Sequence, residues 1–152
     1  MSRQFVVRRL GAADVDRFRE LLAVMGEAFE DVDRYTGAQP STAYLCEMLA
    51  RGDFMALAAT DDGGVIGGLA AYELAKFEQE RREIYIYDLA VAATHRRKGV
   101  ATALIEELVR IAAARGAYVV YVQADTADAP AVALYSKLGR REDVLHFDID
   151  VP

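Results

Sequence analysis

Residues 83–124 constrain the fold more than any other part of the chain. Glu83–Val91 is a run of apolar and aromatic residues typical of a strand. A basic turn with one glycine follows, and apolar residues then recur at helical spacing from Val100 to Ala112. Tyr118–Ala124 is β-branched and aromatic, which favours a second strand. A strand, a helix and a strand in this order predict a crossover between two parallel strands.

Other elements are predicted on both sides of this crossover. An apolar stripe predicts a helix over residues 15–29, and the pattern then breaks into a long loop over residues 30–40, a length that is often functional. Ser41 is a suitable N-cap for another helix, which stops near Gly52. The remaining predicted elements are strands at Phe5–Arg9, Phe54–Thr60, Val65–Tyr72 and Val144–Val151 and a short helix at about Ala129–Leu138.

Glycines mark several of the predicted boundaries. Asp61-Asp62-Gly63-Gly64 contains Asp-Gly and Gly-Gly pairs, which favour the positive φ angles of a tight hairpin. Gly116 follows the long helix and Gly139 follows the short one. A block of consecutive strands followed by a crossover predicts an α/β fold, with one mixed sheet and helices on both of its faces.

Composition bounds the size and class of the protein. The chain has 152 residues, of which 53% are hydrophobic, so it can bury a core, and no repeat or linker interrupts it. We therefore expect a single domain over residues 1–152. Eighteen Lys and Arg against 24 Asp and Glu give a formal charge of −6, which argues against a generic nucleic-acid binder.

The few cysteines and histidines and the short apolar runs exclude disulfide-rich, zinc-binding and membrane-spanning proteins. One cysteine, Cys46, excludes an internal disulfide framework, and with His95 and His146 it leaves no zinc cluster, so we expect no metal. The two histidines are expected to be structural or surface groups. No window approaches the roughly 18 apolar residues of a membrane span, and the apolar run near the N-terminus is far too short for a signal peptide. We expect a cytoplasmic protein that does not act at a membrane.

The basic turn before the long helix has the properties of an anion site. The first backbone N–H groups of a helix lack intrahelical partners, and the helix dipole adds positive potential there. Gly99 permits close approach of a ligand, and the small Ala101 does not obstruct it. Arg96, Arg97 and Lys98 add cationic side chains. The spacing is neither that of a P-loop nor that of the three-glycine dinucleotide fingerprint.

Two motifs in the second half of the chain carry a family resemblance. Arg96-x-x-Gly99-x-Ala101, preceded by Leu89-Ala90-Val91, resembles the acetyl-coenzyme A loop of the GNAT superfamily of N-acetyltransferases. About thirty residues later, Asp128–Gly139 contains Leu-Tyr-x-Lys-Leu-Gly and is similar to the second signature of that superfamily, although Asp128 stands where many members carry asparagine. Longer segments, at residues 76–79, 83–91, 116–125 and 146–150, resemble aminoglycoside 3-N-acetyltransferases of the gentamicin/fortimicin type.

The resemblance implies acetyl-CoA as the cosubstrate. It places the pantetheine arm beside the backbone of Leu89 and Val91, whose N–H groups could polarise the acetyl carbonyl, and the pyrophosphate on the basic turn. The implied cofactor-binding residues are Leu89, Ala90, Val91, Arg96, Arg97, Lys98, Gly99, Val100, Ala101 and Thr102. It also implies that Tyr135 protonates the departing thiolate. A tyrosine pKa of about 10 lies above a thiol pKa of about 8.5, so this transfer is reasonable.

Two carboxylates are candidates for the general base. A regular strand places Glu83 and Asp88 on opposite faces, with Asp88 on the face of Ile84 and Ile86 unless a bulge changes the count. Asp88 interrupts an apolar and aromatic run beside the implied cofactor site and could accept the ammonium proton directly or through water. Glu83 lies farther up the strand and could act through a chain of water molecules.

Acidic side chains are candidates for binding a cationic acceptor, because carboxylates attract ammonium groups. Asp125 and Asp128 lie between the last crossover strand and the Tyr135 helix. The other candidates are Asp148 and Asp150, on one face of the last predicted strand, and Asp31 and Asp33 in the long loop.

The resemblance implies an aminoglycoside acceptor, acetylated on its 3-amino group, and a homodimer. Acetylation removes a positive charge and would confer antibiotic resistance. Two alternatives remain open from the residues alone. One is an acetyltransferase for another amine, such as a polyamine or a protein N-terminus, and the other is a coenzyme A-binding domain without catalytic activity.

Overall fold

Five strands form one mixed sheet in the order β1-β2-β3-β4-β5, in a computed structural model that describes residues 4–152. The first three residues, which belong to the N-terminal segment considered above as a signal peptide, lie outside the described part. The strands are β1 (Val6–Arg9), β2 (Phe54–Asp61), β3 (Gly64–Ala75), β4 (Arg82–Val91) and β5 (Ala117–Val122). The helices are α1 (Val15–Ala28), α2 (Val32–Thr36), α3 (Thr42–Ala50), α4 (Val100–Ala114) and α5 (Ala129–Leu138).

The sheet topology confirms the predicted mixed sheet and its crossover. Strands β1 to β4 pair in antiparallel fashion, and β5 pairs with β4 in parallel after the chain has passed through α4. The hairpin between β2 and β3 closes on the pair Asp61 and Gly64, as predicted. Positive φ occurs in this turn at Gly64 and not at Gly63.

Helices cover both faces of the sheet, as predicted. One buried cluster joins α4, through Leu104 and Leu108, to Leu57 and Ile84 of the sheet. The other joins α1 and α3 to the opposite face, with Leu21 fully buried against it. Gly68 permits this approach, because a Cβ at this position would lie 2.5 Å from Leu21 Cδ1.

Local signals place several helix ends correctly. The Ser41 side chain caps α3 by accepting a hydrogen bond of 3.1 Å from the N–H of Tyr44. Gly116 follows α4 with φ of +75°, the left-handed conformation that commonly ends a helix. The predicted long loop contains the five-residue helix α2, which the sequence pattern did not indicate.

The predicted strand at Val144–Val151 is wrong for the single chain. Residues 140–152 form neither a strand nor a helix, and every one of them is exposed. A strand needs a hydrogen-bonded neighbour, and this segment does not return to the sheet of its own chain. The proposed shared strand face of Asp148 and Asp150 therefore does not exist in this conformation.

Residues 4–152 contain neither a membrane-spanning helix nor a cluster of metal-binding side chains. None of their helices is both long enough and apolar enough to cross a membrane. No group of three or more His, Cys, Asp and Glu side chains among them is arranged to hold a metal ion.

Candidate active site

Strands β4 and β5 diverge halfway along β4. Their pairing runs from Arg82 with Ala117 to Ile86 with Val122, where it stops. On its other side β4 stays paired with β3 as far as Val91. Within the described residues, the second half of β4 therefore has a strand on one side and a gap on the other.

The peptide groups of Leu89 and Val91 face this gap. Ala92 donates its N–H to Ile66 O at 2.8 Å, on the side of β3. Successive residues of a strand direct their N–H and C=O groups to alternate sides, so Ala90 shares the orientation of Ala92, and Leu89 and Val91 have the opposite one. These two residues can hydrogen-bond a linear ligand that lies where a strand would lie.

The basic turn next to the gap has an unusual backbone. Gly99 has φ of +78°, and Arg97, which is not a glycine, has φ of +62°. A left-handed conformation at a residue other than glycine costs about 1 kcal/mol and is concentrated at functional sites. No atom lies within 4 Å of the position that a Cβ on Gly99 would occupy, so the space beside it is open.

The turn and the start of α4 provide a strongly cationic surface. Arg96, Arg97 and Lys98 are exposed, and none of them forms an ion pair with any residue from 4 to 152. The first turn of α4 carries no acidic residue. The N–H groups of Val100, Ala101 and Thr102 belong to this first turn and have no acceptor within the helix. The arrangement suits a pyrophosphate.

His95 holds the beginning of the turn in place. Its Nε2 lies 3.0 Å from Asp61 Oδ2 in the β2–β3 hairpin, and its Nδ1 lies 2.9 Å from Thr94 Oγ1. A hydrogen bond from the N–H of Gly63 is the main cause that lowers the pKa of Asp61. The structural role expected for His95 agrees with these contacts.

A β-bulge reorients Asp88. Ala70 of β3 pairs with Asp88 while the next residue, Ala71, pairs with Ile86, so Tyr87 is an additional residue on β4. The additional residue reverses the alternation that follows it. Ile86 packs against the cluster on the α4 face, whereas Asp88 lines a cavity on the α1 face. The prediction from regular alternation, that Asp88 shares a face with Ile86, was wrong for this reason.

Asp88 is a half-buried carboxylate with one hydrogen-bond donor. Tyr35 Oη in α2 donates a hydrogen bond of 3.0 Å to Asp88 Oδ2. Burial raises the pKa of Asp88, and the hydrogen bond from Tyr35 and the charge of Arg34 oppose that rise. Burial, followed by the charge of Asp88, raises the pKa of Tyr35 to about 12. A carboxylate with a raised pKa in a cleft is suited to accept a proton.

The cavity beside Asp88 has a volume of about 290 Å³. Its walls include the aromatic rings of Tyr35, Tyr44 and Tyr72 and one cation, Arg34. Sequence reasoning did not identify Tyr35. The only signal that pointed toward it was the long loop in which it lies.

A row of tyrosines continues from the cavity across the sheet. The rings of Tyr72 and Tyr87 have centroids 6.0 Å apart, those of Tyr85 and Tyr87 are 5.8 Å apart, and Tyr85 stacks on Tyr121 at 4.8 Å. Tyrosine rings offer an apolar body, a polar tip and a face that attracts cations. Sequence reasoning missed this row, although the alternating tyrosines before Asp88 were its signal.

Glu83 lies in a different environment from Asp88. Its Oε2 accepts a hydrogen bond of 2.6 Å from Tyr118 Oη, and its Oε1 lies 3.3 Å from Lys76 Nζ. The hydrogen bond from Tyr118 is the main cause that lowers the pKa of Glu83. These contacts make Glu83 a weaker base than an isolated glutamate and place it in the half of β4 that is paired with β5.

Tyr135 and Asp128 lie on the same short helix. Tyr135 is half-buried, and burial, followed by the charge of Asp128, raises the pKa of its phenol. Asp128 is the N-cap of α5, where its Oδ1 accepts a hydrogen bond of 3.2 Å from the N–H of Ala131. Asp125 is exposed, and its carbonyl oxygen accepts the N–H of Asp128 at 3.0 Å.

The remaining acidic candidates are not gathered at the cavity. Asp33 is exposed on α2, and its carbonyl oxygen accepts the N–H of Gly37 at 2.8 Å. Asp148 is exposed and lies 2.8 Å from His146 Nε2, and Asp150 is also exposed. None of these three lines the cavity beside Asp88, and neither do Asp125 and Asp128.

The chain is similar over its whole length to aminoglycoside acetyltransferases of known structure. The structure of HMB0005, an aminoglycoside acetyltransferase from an uncultured soil metagenomic sample, has a TM-score of 0.96 and 60% identity, with 100% of both chains covered. That of meta-AAC0020, from the same kind of source and in complex with sisomicin, has a TM-score of 0.90 and 27% identity over 98% of this chain and 97% of its own.

A more distant structure shows the fold alone. The aminoglycoside N-acetyltransferase AAC(6')-Iy, in complex with CoA, has a TM-score of 0.77 and 17% identity over 99% of this chain and 98% of its own. No curated protein matches the chain. Residues 18–139 match the family model described as the Acetyltransferase (GNAT) family. The chain therefore belongs to the GNAT family and is an acetyltransferase.

Proposed function

We propose that the protein is an acetyl-CoA-dependent N-acetyltransferase that modifies the 3-amino group of aminoglycoside antibiotics of the gentamicin/fortimicin type. The observation that carries the proposal is the position of Asp88, a half-buried carboxylate with a raised pKa where β4 leaves β5. The 60% identity to HMB0005 supports an aminoglycoside acceptor, as does the sisomicin complex of meta-AAC0020. The resemblance of residues 76–79, 83–91, 116–125 and 146–150 to 3-N-acetyltransferases supports the position on the acceptor.

The residues that surround the gap fit acetyl-CoA. The outward-facing peptide groups of Leu89 and Val91 match the amide-rich pantetheine arm, and the cations and first turn of α4 match the pyrophosphate. The open space at Gly99 lets a phosphate approach the backbone. Acetyl-CoA supplies the acetyl group as a thioester.

Each functional group has a role in moving protons or polarising bonds. The Asp88 carboxylate accepts a proton from the acceptor ammonium, so that the neutral amine can attack. A backbone N–H at the end of β4 polarises the acetyl carbonyl. Tyr135, whose phenol is protonated at neutral pH, donates its proton to the departing thiolate sulfur. Asp125 and Asp128 attract the other ammonium groups of the acceptor.

The acetylated product has one positive charge fewer than the antibiotic. Since aminoglycosides bind RNA as polycations, this loss weakens their binding and confers resistance. We place the reaction in the cytoplasm, in a single domain that acts as a homodimer without a metal.

A thiol-release assay with acetyl-CoA tests the proposal. Gentamicin, fortimicin, kanamycin, spermidine and a peptide with a free N-terminus are compared as acceptors, and NMR locates the acetylated nitrogen. We expect turnover of the aminoglycosides with acetylation at the 3-amino group. Turnover of spermidine or the peptide alone would establish another amine as the acceptor, and acetyl-CoA binding without turnover would indicate a non-catalytic domain.

A further inference from the structure

Helix α2 is too short to hold its own position. It has five residues, none of them fully buried, and isolated helices shorter than about 12 residues are marginal in water. Yet Tyr35 in this helix donates a hydrogen bond of 3.0 Å to Asp88 on β4, which requires a fixed position. Contacts with other parts of the chain must therefore hold α2 in place.

Helix α1 holds one side of α2. A Cβ on Gly26 would lie 3.2 Å from Val32 Cα and 3.3 Å from Tyr35 Cβ, so the two helices touch at this glycine. The N–H of Asp31 donates a hydrogen bond of 2.9 Å to Gly26 O, and the ring centroids of Phe29 and Tyr35 are 5.6 Å apart. The other end of α2 is held by different residues.

Arg19 on α1 binds the segment that follows α2. Its Nη1 donates a hydrogen bond of 2.7 Å to Gln39 Oε1, and its Nη2 donates to Pro40 O at 3.1 Å and to Thr42 Oγ1 at 3.3 Å. A planar guanidinium presents its N–H groups in a fixed fork, so these acceptors together define the position of the segment closely. Arg19 is half-buried, so water competes with its hydrogen bonds less than it does at an exposed arginine.

Gln39 connects Arg19 to Tyr35. While its Oε1 accepts from Arg19, its Nε2 donates a hydrogen bond of 3.2 Å to Tyr35 O. The backbone of Tyr35 is thereby bound to a residue that α1 holds, and the hydroxyl of the same tyrosine reaches Asp88. A continuous series of contacts runs from Arg19 through Gln39 and Tyr35 to the carboxylate.

We propose that Arg19 and Gln39 are positioning residues that hold the Tyr35 hydroxyl on Asp88. Both act on the carboxylate through Tyr35, so neither is a catalytic residue. Loss of either removes the donor from Asp88 and leaves a half-buried carboxylate without it. The effect on catalysis rests on the proposed function, in which Asp88 is the base, but the positioning of Tyr35 does not.

Other ionisable groups among residues 4–152 also face Asp88 or its cavity. Arg34 on α2, Tyr72 on β3 and Tyr85 on β4 interact with its charge. Tyr44 on α3 lines the same cavity, and the part of α1 that lines it is apolar. The tyrosines are neutral at neutral pH, so Arg34 is the charged group of this set.

The direction of a pKa change at Asp88 distinguishes a lost donor from a site opened to water. The hydrogen bond from Tyr35 and the charge of Arg34 both lower the pKa of Asp88, so a displaced α2 raises it. Burial is the main cause that raises this pKa, so water that entered around the carboxylate would lower it instead.

NMR titration of the Asp88 side-chain carboxyl, in the protein without substrates, tests the positioning directly. We expect Arg19→Gln and Gln39→Met each to raise the pKa of Asp88. In the Tyr35→Phe background, Arg19→Gln should cause a much smaller rise than in the wild type, because the donor that it positions is already absent. A pKa that falls or does not change in both single variants, or a rise that is fully retained in the Tyr35→Phe background, would overturn the inference.

Two further variants keep this test specific. Arg17→Gln is the matched control, because Arg17 lies on the same helix and donates to Glu20, at 3.2 Å, rather than to the segment after α2. It should leave the pKa of Asp88 unchanged. Gln39→Met keeps the length of the side chain and removes both of its hydrogen bonds, so it carries the test if circular dichroism shows that Arg19→Gln does not fold.

The pH profile of kcat/KM separates this inference from the proposed function. If Asp88 is the base, the fall in activity at low pH should move toward higher pH in Arg19→Gln and Gln39→Met, together with the pKa measured by NMR. A raised pKa of Asp88 without this movement would confirm that the two residues position Tyr35 and would contradict the role of Asp88 as the base.

Discussion

Tyr35 donates a hydrogen bond of 3.0 Å to Asp88 across 53 positions of sequence. It connects the short helix α2 to the bulge in β4, so that a segment outside the sheet lowers the pKa of the carboxylate within it. Because burial raises the pKa of Asp88 and Tyr35 lowers it, the two effects oppose each other at the proposed base.

Tyr35→Phe should move the acid limb of the pH profile of kcat/KM toward higher pH. Without the donor, the pKa of Asp88 rises, so the carboxylate is protonated at a higher pH and activity is lost earlier as the pH falls. A hydrogen bond to a charged group contributes about 1.5–3 kcal/mol, and solvent access to the half-buried Asp88 reduces this effect without changing its direction. The profile is measured by initial rates between pH 5 and about 9. An acid limb that does not move in Tyr35→Phe would contradict the claim that Tyr35 lowers the pKa of the general base.

Asp88→Asn should reduce kcat by about 10²- to 10⁴-fold, the usual contribution of a general base. Acetyl-CoA binding, measured by calorimetry, should be preserved because the side chain faces the cavity and not the gap. Glu83→Gln is the comparison on the same strand, and its smaller effect is expected from the lowered pKa of Glu83. A larger loss of kcat in Glu83→Gln than in Asp88→Asn would indicate that Glu83, and not Asp88, is the general base.

Tyr135→Phe should lower turnover by about 10²-fold or more while the affinity for acetyl-CoA changes little. The phenylalanine keeps the half-buried ring and removes only the proton donor. Single-turnover kinetics and coenzyme binding are measured on the same preparation. Unchanged turnover would show that Tyr135 only packs α5 against the protein.

Asp125→Asn and Asp128→Asn should weaken aminoglycoside binding and leave acetyl-CoA binding nearly intact. Asparagine is as good an N-cap as aspartate, so Asp128→Asn removes the charge but keeps the cap of α5. Asp128→Ala is the control for the stability of α5, because it removes both the charge and the N-cap and costs about 1 kcal/mol of helix stability. Kd values for both ligands distinguish these effects. A loss of affinity for acetyl-CoA alone would contradict the proposed role of Asp125 and Asp128 in acceptor binding.

Glu73→Gln should destabilise the fold at neutral pH. Glu73 is 7% exposed and lies 2.6 Å from Arg115 Nε and 3.4 Å from Arg82 Nε. The hydrogen bond from Arg115 is the main cause that lowers its pKa, so this stabilisation is present above about pH 4.5 and disappears as the pH falls through the lower folded pKa.

The measurement is urea denaturation of wild type and Glu73→Gln at several pH values. We expect a loss of about 1.5–3 kcal/mol at pH 7 that diminishes in acid. Glu107→Gln, in the surface pair with Arg110, should cost about 1 kcal/mol or less. Equal effects of the two substitutions would mean that burial adds nothing to the Glu73 contacts.

Sequence patterns predicted those parts of the structure that are determined locally. Ser41 can cap the start of a helix and Gly116 can end one. Helix α3 therefore begins, and helix α4 ends, where expected. The turn from Arg96 to Gly99 lies at the start of α4, as predicted, and its role as an anion site stays a prediction. In each case the physical cause lies within a few residues of its effect.

The features that the sequence did not predict depend on contacts between residues that are distant in sequence. The bulge at Tyr87 arises from how β3 pairs with β4, and it turns Asp88 to the opposite face. Tyr35 became identifiable only when α2 was placed beside β4. Leu145 and Phe147 do alternate as a strand should, but no neighbour within residues 4–152 pairs with them.

The divergence of β4 and β5 also affects which mutations the protein can tolerate. The groups exposed along the gap at Leu89 and Val91 are peptide N–H and C=O, which every residue except proline carries in full. Substitutions in the cavity can therefore change which amine acceptor binds. The peptide groups of Leu89 and Val91 that face the gap are retained when this happens. We therefore expect the amine acceptor of such an acetyltransferase to change more easily than its acyl donor.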